Sequence, residues 1–274
     1  MPELPEVETI KRDLAKKLKG LSIISLDIYD TRILKTNSTP AFVQSLENKT
    51  IDDVSRRGKV IILSFKERGF LLIHPKMTGQ LIYGEHLKHS KKLKDTKGVL
   101  GLSNGKFLNY NDQRLFGRLS YVNTLSEDKL LKRLGPEPFE KDFQPEWIAS
   151  RSKQHRIPIK MLLLDQHFIA GIGNIYASEI LFEARIHPKK PAKELKQSEI
   201  KALHASTIHV LKEAVRYRGT SMRNYRDGNG QEGKFMNRIK VYNKEDEPCP
   251  VCQRAISKVV QNGRSTFYCR NCQQ

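Results

Sequence analysis

Residues 162–182 read LLLDQHFIAGIGNIYASEILF, two apolar stretches on either side of a glycine-containing turn. IKMLLLDQ (159–166) and NIYASEILFEARI (174–186) carry helical patterning, and HFIAGIGN (167–174) joins them. Gly171 and Gly173 let the backbone turn tightly, and Asn174 suits the N-cap of a helix beginning at Ile175. A helix start with exposed N–H groups is also a ready phosphate site. Taken alone, the stretch is a plain helix–helix connection. The charge and the cysteines of the same chain favour the phosphate-binding reading.

That charge is +19, from 49 Lys+Arg against 30 Asp+Glu over 274 residues. An excess of this size suits a polyanionic partner, although a basic surface kept for solubility gives the same count. No basic amphipathic helix with a Trp/Phe face stands out, so nucleic acid leads over an anionic membrane. No apolar run approaches the roughly 20 residues of a membrane span. The first twenty residues carry acids and lysines throughout, without the apolar region of a secretory signal. The expectation is a soluble, intracellular, cytoplasmic chain of roughly two domains, monomeric and without a membrane partner.

All four cysteines fall near the carboxy terminus, as Cys249-x2-Cys252-x16-Cys269-x2-Cys272. Two close pairs across a short hairpin can set four thiolates tetrahedrally around zinc. The alternative, two disulfides, fits poorly with an intracellular chain. Asn262-Gly263 between two strand-like runs supplies the hairpin turn. Because protein ligands fill all four positions, such a zinc is structural and leaves no open place for catalysis. No organic cofactor is expected.

Elsewhere the chain divides by pattern. Residues 4–19 predict a helix with Val7, Ile10, Leu14 and Leu18 on one face, ended by Gly20. The runs LSIISLDIYD, KVIILSF, GFLLIHP and VLGLSNGKFLNY make residues 20–123 a β-rich layer or sandwich, with EHLKHSKKLKDTK (85–97) as a solvated loop. LGPEPFEKDF (134–143) reads as a linker into helices. The last of these, SEIKALHASTIHVLKEAVRY, shows Ile200, Leu203, Thr207, Leu211 and Ala214 at helical spacing. RGTSMRNYRDGNGQEGK (218–234), with four glycines and few apolar residues, reads as a mobile loop.

Several strings in collinear order resemble the bacterial formamidopyrimidine-DNA glycosylases. They are MPELPEVET at the start, SRRGK (55–59), HPKMTG (74–79), RLFG (114–117), LGPEP (134–138), residues 162–182, and GRSTFYCRNCQQ (263–274). The resemblance spans essentially the whole chain. It implies an α+β fold: an N-terminal β-sandwich with an N-terminal helix (1–133), a helix–two-turn–helix domain (134–234) whose loop 218–234 is the lid over the lesion, and a four-cysteine zinc-finger hairpin (235–274). It implies a bifunctional glycosylase and AP lyase that removes oxidised purines from double-stranded DNA in base-excision repair, in a bacterial nucleoid.

The implied nucleophile is Pro2. An internal proline nitrogen is an amide, but after removal of Met1 it becomes a secondary amine, and free terminal amines titrate near 7.7–8.0 in reference peptides. By resemblance it attacks C1′ of the damaged nucleotide and forms an iminium, after which β- and δ-elimination cut the strand. Glu3 matches the carboxylate that moves protons beside the amine. Lys59 matches the assisting lysine, although by itself it reads as a surface lysine before a strand. Arg264 matches the zinc-finger arginine that binds phosphate and takes part in the elimination steps. Glu6 and Glu8 read mainly as first-turn helix acids.

The resemblance also assigns the residues that fill the gap left by an extruded base. Met77 and Phe116 match the apolar wedges and Arg114 the partner of the orphaned base. The bland alternative for Met77, core filling, fits poorly with its place in a turn. Lys160, Asn174 and His74 match phosphate contacts. Two departures stand out. Lys94-Asp95-Thr96-Lys97 replaces a family string with DNA-contacting histidines, so Lys97 is the expected substitute there. Gln154-His155-Arg156 replaces a lysine cluster, and Arg156 stands in a similar position. The alternatives are an endonuclease VIII-like glycosylase for oxidised pyrimidines and a non-catalytic zinc-ribbon nucleic-acid binder. Leu4 within PELPEVET and the Arg114/Phe116 pair favour the purine-acting branch.

Overall fold

The structure, a computed structural model, describes residues 1–35, 38–85, 95–222 and 225–274. Most of the loop expected at 85–97 and two residues of the 218–234 loop lie outside the described residues. The chain forms two compact units, residues 1–132 with 217–236, and residues 133–216 with 237–274. The segment 217–236, which the sequence reading divides between the helical domain (to 234) and the zinc finger (from 235), packs with the first unit.

In the first unit, helix α1 (Leu4–Leu18) places Val7, Ile10, Leu14 and Leu18 on one face, and all four are fully buried. Each such burial contributes about 1.5–3 kcal/mol. The four together give roughly 6–12 kcal/mol before the entropy of ordering is counted. That is enough to hold a terminus that would otherwise fray. Gly20, at φ +83°, turns the chain away after the helix.

The chain then enters β1 (Ile23–Ile28), the short α2 (Thr39–Gln44), β2 (Ile51–Arg57), β3 (Val60–Phe65), β4 (Phe70–His74), β5 (Gln80–Gly84), β6 (Thr96–Leu102), β7 (Phe107–Asn111), β8 (Arg118–Val122) and α3 (Lys129–Lys132). The strands form two antiparallel four-stranded sheets, in the orders β1-β6-β7-β5 and β2-β3-β4-β8. One core joins them: Ile23, Leu100 and Leu108 from the first sheet meet Ile61, Leu63 and Leu71 from the second and the apolar face of α1. Along β3 the intervening Val60 and Ile62 face the other way. They pack with Leu72 and with Leu130 and Leu131 of α3. Burial on both faces explains why KVIILSF is a continuous apolar run rather than an alternating one.

The second unit contains α4 (Pro145–Ser152), α5 (Ile159–Leu163), α6 (Asn174–Glu183) and α7 (Gln197–Arg216), then the hairpin β9 (Ser257–Gln261) and β10 (Arg264–Tyr268). Ile200, Leu203, Thr207, Leu211 and Ala214 all lie on the buried face of α7, as the spacing predicts. The hairpin turns on Asn262 and Gly263, both at positive φ (46° and 71°), the conformation that Asn-Gly accepts. Phe267 and Ile256 pack with Phe182 of α6 and Val241. One boundary differs from the sequence reading: α6 begins at Asn174, and Gly173 occupies the N-cap. Among the described residues no helix is long and apolar enough to cross a membrane.

Candidate active site and nucleic-acid interface

In the first unit Met1 is exposed, whereas Pro2 and Glu3 are buried at the start of α1. Glu6 fixes this end. Its Oε2 accepts the Glu3 N–H at 2.7 Å and its Oε1 accepts the Thr220 N–H at 2.7 Å. Gly219 (φ +77°) has to lack a side chain, because a Cβ there would lie 2.6 Å from Glu6 Oε1. The Tyr225 hydroxyl donates to Arg218 O at 3.1 Å, and the Arg218 guanidinium pairs with Asp13 of α1 and Asp227. So the described part of the 218–234 loop is tied to the helix that begins at Pro2, and Glu6 does more than favour a helix dipole.

Glu8 likewise exceeds the first-turn role. It is 8% exposed and accepts from Arg56 Nε at 3.0 Å and Arg12 Nε at 2.7 Å. Burial opposes its charge, but the guanidinium hydrogen bonds prevail and hold its carboxyl below the usual range. Arg56 Nη1 then donates to Gly58 O at 2.9 Å. Gly58 (φ +56°) is the first residue of the two-residue turn between β2 and β3, the position that a type II′ turn reserves for glycine, and Lys59 is the second. Helix α1 is therefore linked through Glu8 and Arg56 to the peptide preceding Lys59, which is itself buried.

His74 ends β4, and its Nδ1 accepts the Lys76 N–H at 3.1 Å. Burial, followed by the charges of Lys76, Lys59 and Arg118, pushes its pKa down to about 3. The imidazole is neutral, with Nε2 as its remaining N–H donor. Below about pH 6.5 the unfolded chain binds a proton here that the folded chain does not, so stability falls as pH is lowered through that range. An NMR titration of the free protein is expected to show a neutral His74 ring down to pH 5; protonation near pH 6.5 would contradict it.

Met77 and Phe116 are exposed, at 40% and 48%. Arg114 joins them. Its guanidinium lies 4.6 Å from the Phe116 ring centroid, and its Nη1 lies 3.3 Å from Met77 Sδ. The three are brought together although 37 residues separate Met77 from Arg114. Exposure rules out core filling for Met77. Lys97 lies on β6, where its carbonyl accepts the Tyr29 N–H at 2.9 Å.

In the second unit, Lys160 and Asn174 converge on one carbonyl. Lys160 Nζ donates to Ser265 O at 3.0 Å and Thr266 Oγ1 at 2.8 Å, and Asn174 Nδ2 donates to the same Ser265 O at 3.0 Å. Lys160 is fully buried. Its ammonium thus holds the strand beside Arg264, where the sequence reading expects it to touch phosphate. Nor does Asn174 cap its helix as expected. Arg264 itself is exposed at the start of β10, and Arg156 is exposed at the entry to α5.

The thiols of Cys249, Cys252, Cys269 and Cys272 lie within 4.8 Å of one another, with Sγ···Sγ separations of 3.9 Å (249–272) and 3.5 Å (252–269). Zn–S bonds of about 2.3 Å in a tetrahedron place sulfurs roughly 3.8 Å apart. The donor set therefore fits zinc, and all four ligands come from the protein. Gln273 supports the site: its Oε1 accepts the Cys269 N–H at 2.9 Å and its Nε2 donates to Ile186 O at 2.9 Å.

Glu179 was not singled out from the sequence. Buried in α6, it accepts the N–H groups of Lys240, Val241 and Tyr242 at 2.7, 3.0 and 2.8 Å, and so pins the lead-in to the zinc module. The available signal is a lone acid inside the apolar run NIYASEILF.

Comparison with known proteins agrees with this fold. Residues 1–119 match the formamidopyrimidine-DNA glycosylase N-terminal domain, 134–226 the H2TH domain of the same glycosylases, and 246–274 the zinc finger found in FPG and IleRS. The chain is 41% identical to a formamidopyrimidine-DNA glycosylase of Desulforamulus reducens, over 100% of this chain and 99% of that one. It is 43% identical to that of Chloroflexus aurantiacus, over 100% and 98%. Its fold matches wild-type Lactococcus lactis Fpg (MutM), solved with DNA containing N7-benzyl-Fapy-dG, at a TM-score of 0.92 and 35% identity, with both chains covered in full. A strand sandwich behind an N-terminal helix, a helix–two-turn–helix and a four-cysteine hairpin define a zinc-finger DNA glycosylase. The chain belongs to the formamidopyrimidine-DNA glycosylase family.

Proposed function

We propose that Pro2, freed by removal of Met1, is the nucleophile with which this chain excises oxidised purines, 8-oxoguanine and formamidopyrimidines, from duplex DNA. As a family member the chain is a DNA glycosylase and AP lyase of base-excision repair. The observation that carries the assignment is the anchoring of the terminus. Pro2 is buried directly ahead of α1, so the secondary amine that removal of Met1 would free is held in place, and Glu3 is fixed beside it through Glu6. Held groups react faster than tethered ones because their entropy has already been lost.

The steps follow from that amine. Its lone pair attacks C1′ of the lesion nucleotide, and the bond to the base breaks with its electrons leaving on the base, which takes up a proton. Opening of the C1′–O4′ bond gives an iminium at C1′, with Glu3 placed to move protons to the sugar. The iminium acidifies the C2′ proton. Its loss expels the 3′-phosphate, and a second elimination expels the 5′-phosphate. Lys59 assists close to the lesion, and Arg264 binds phosphate from its exposed place on the hairpin. His74 contributes as a neutral donor. Lys97 and Arg156 supply charge where this chain departs from its family, and Asn174 and Lys160 act on phosphate through the strand they hold. Met77, Arg114 and Phe116 fill the gap left by the extruded base. Residues 218–234 cover that base, the zinc is structural, and the enzyme works as a cytoplasmic, nucleoid-associated monomer.

Borohydride reduces an iminium to a stable amine, so it tests the reading. A covalent adduct is expected with duplex containing 8-oxoguanine. Trapping confined to oxidised pyrimidines would transfer the chain to the endonuclease VIII-like reading, and no trapping on any lesion duplex would overturn the enzyme mechanism. Binding is expected to weaken with salt, log affinity falling against log salt by about 0.9 per phosphate neutralised. Titration of a fluorescent duplex at several salt concentrations measures that slope, and a flat response would contradict it.

A further inference from the structure

Asp112 takes no part in the chemistry above, yet it is fully buried and receives hydrogen bonds from both segments that carry the exposed Met77, Arg114 and Phe116. The Thr78 hydroxyl donates to its Oδ1, as does the Arg114 N–H at 3.2 Å. The Gly117 N–H donates to its Oδ2 at 2.7 Å. Thr78 Oγ1 also accepts the Arg114 N–H, at 3.1 Å. The donors are thus the residue after Met77, Arg114 itself, and the residue after Phe116. Between them Leu115 is held at φ +55°, a strained backbone for a branched side chain. Gly117 has no room for a Cβ, which would fall 1.6 Å from the Tyr110 hydroxyl and 2.9 Å from Asp112 Oδ2.

A buried carboxylate persists when hydrogen bonds replace its water. Here the Thr78, Arg114 and Gly117 donors lie in the two turns that carry the exposed Met77, Arg114 and Phe116, so the carboxylate ties those turns together besides meeting the buried Tyr110 hydroxyl of the sandwich. We propose that Asp112 is the positioning residue of the wedge: it holds Met77, Arg114 and Phe116 in the arrangement that enters the duplex as the damaged base leaves. This rests on the reading of those three residues as the wedge.

Single-turnover excision of 8-oxoguanine from duplex tests it, beside cleavage of a preformed abasic site that has no base to expel. Asp112→Asn keeps the shape but offers one acceptor oxygen where two are used. It is expected to slow base excision on the order of 10²-fold, the scale of an ångström-level misplacement. Abasic-site cleavage and the thermal midpoint should stay close to the parent. Thr78→Val should slow excision less and Thr78→Ser should restore it, which keeps the test open if Asp112→Asn folds poorly. Adding Phe116→Ala to Asp112→Asn should cost little beyond Phe116→Ala alone, because both act through the same wedge. Parental excision by Asp112→Asn beside slow excision by Phe116→Ala would overturn the role of Asp112 and leave the wedge reading standing. Equal losses on both substrates in step with the thermal midpoint would overturn it too, as a purely structural role. Parental excision by both Met77→Ala and Phe116→Ala would instead remove the wedge reading, and the proposal with it.

Discussion

A single residue left ahead of Pro2 is expected to lower base excision on the order of 10³-fold or more, the scale seen when a covalent nucleophile is removed. Binding of lesion duplex should stay near the parental value. The chemistry is specific to this position. With any residue in front of it, the Pro2 nitrogen is an amide whose lone pair is delocalised into a carbonyl, and no other change to the protein is made. Pro2→Gly is a gentler form of the same experiment. It retains an amine, now primary, but loses the ring that limits where the nitrogen can point. Excision should fall steeply with some trapping left. Gel-resolved single-turnover kinetics on protein of verified N-terminus reads both variants. Equal excision with a blocked terminus would rule out Pro2.

Removal of zinc is the second large effect. A two-stranded hairpin is marginal by itself in water, and β9 and β10 have five residues each. Structural zinc contributes about 10–16 kcal/mol of apparent binding energy in small finger peptides at neutral pH, which there is folding energy. In this chain Phe267 and Ile256 pack with Phe182, so part of the hairpin has support of its own. The two Cys-x2-Cys knuckles have less, and without the cation nothing ties their four sulfurs together. Chelation, or Cys249→Ser, is therefore expected to unfold residues 246–274 in large part, and with them the placement of Arg264. Circular dichroism, released zinc and duplex affinity should change together. Unchanged affinity after verified zinc loss would refute this account of the hairpin.

What could be read in the sequence was what is local. Helix α1 was visible in the spacing of Val7, Ile10, Leu14 and Leu18, and the zinc set in two Cys-x2-Cys pairs and an Asn-Gly turn. Polar contacts across the fold were not visible. Glu6 and Glu8 looked like helix-start acids because nothing near them in sequence reveals Thr220 or Arg56. Lys160 looked like a phosphate ligand, and its carbonyl partner lies 105 residues away. Asp112 reads from sequence only as a turn residue bonding its own backbone at Arg114 and Gly117, because its partner Thr78 comes from a turn whose approach depends on the pairing of β5 with β7. The segment 217–236 was assigned by chain order, yet its hydrogen bonds run to α1.

A nucleophilic Pro2 bonds through its nitrogen to the sugar, and mass spectrometry of the borohydride-trapped complex after digestion with trypsin and nuclease locates that bond. The residual sugar is expected on the peptide Pro2–Lys11, with fragment ions placing it on Pro2. A sugar carried by Lys59, or by any residue other than Pro2, would rule Pro2 out as the nucleophile.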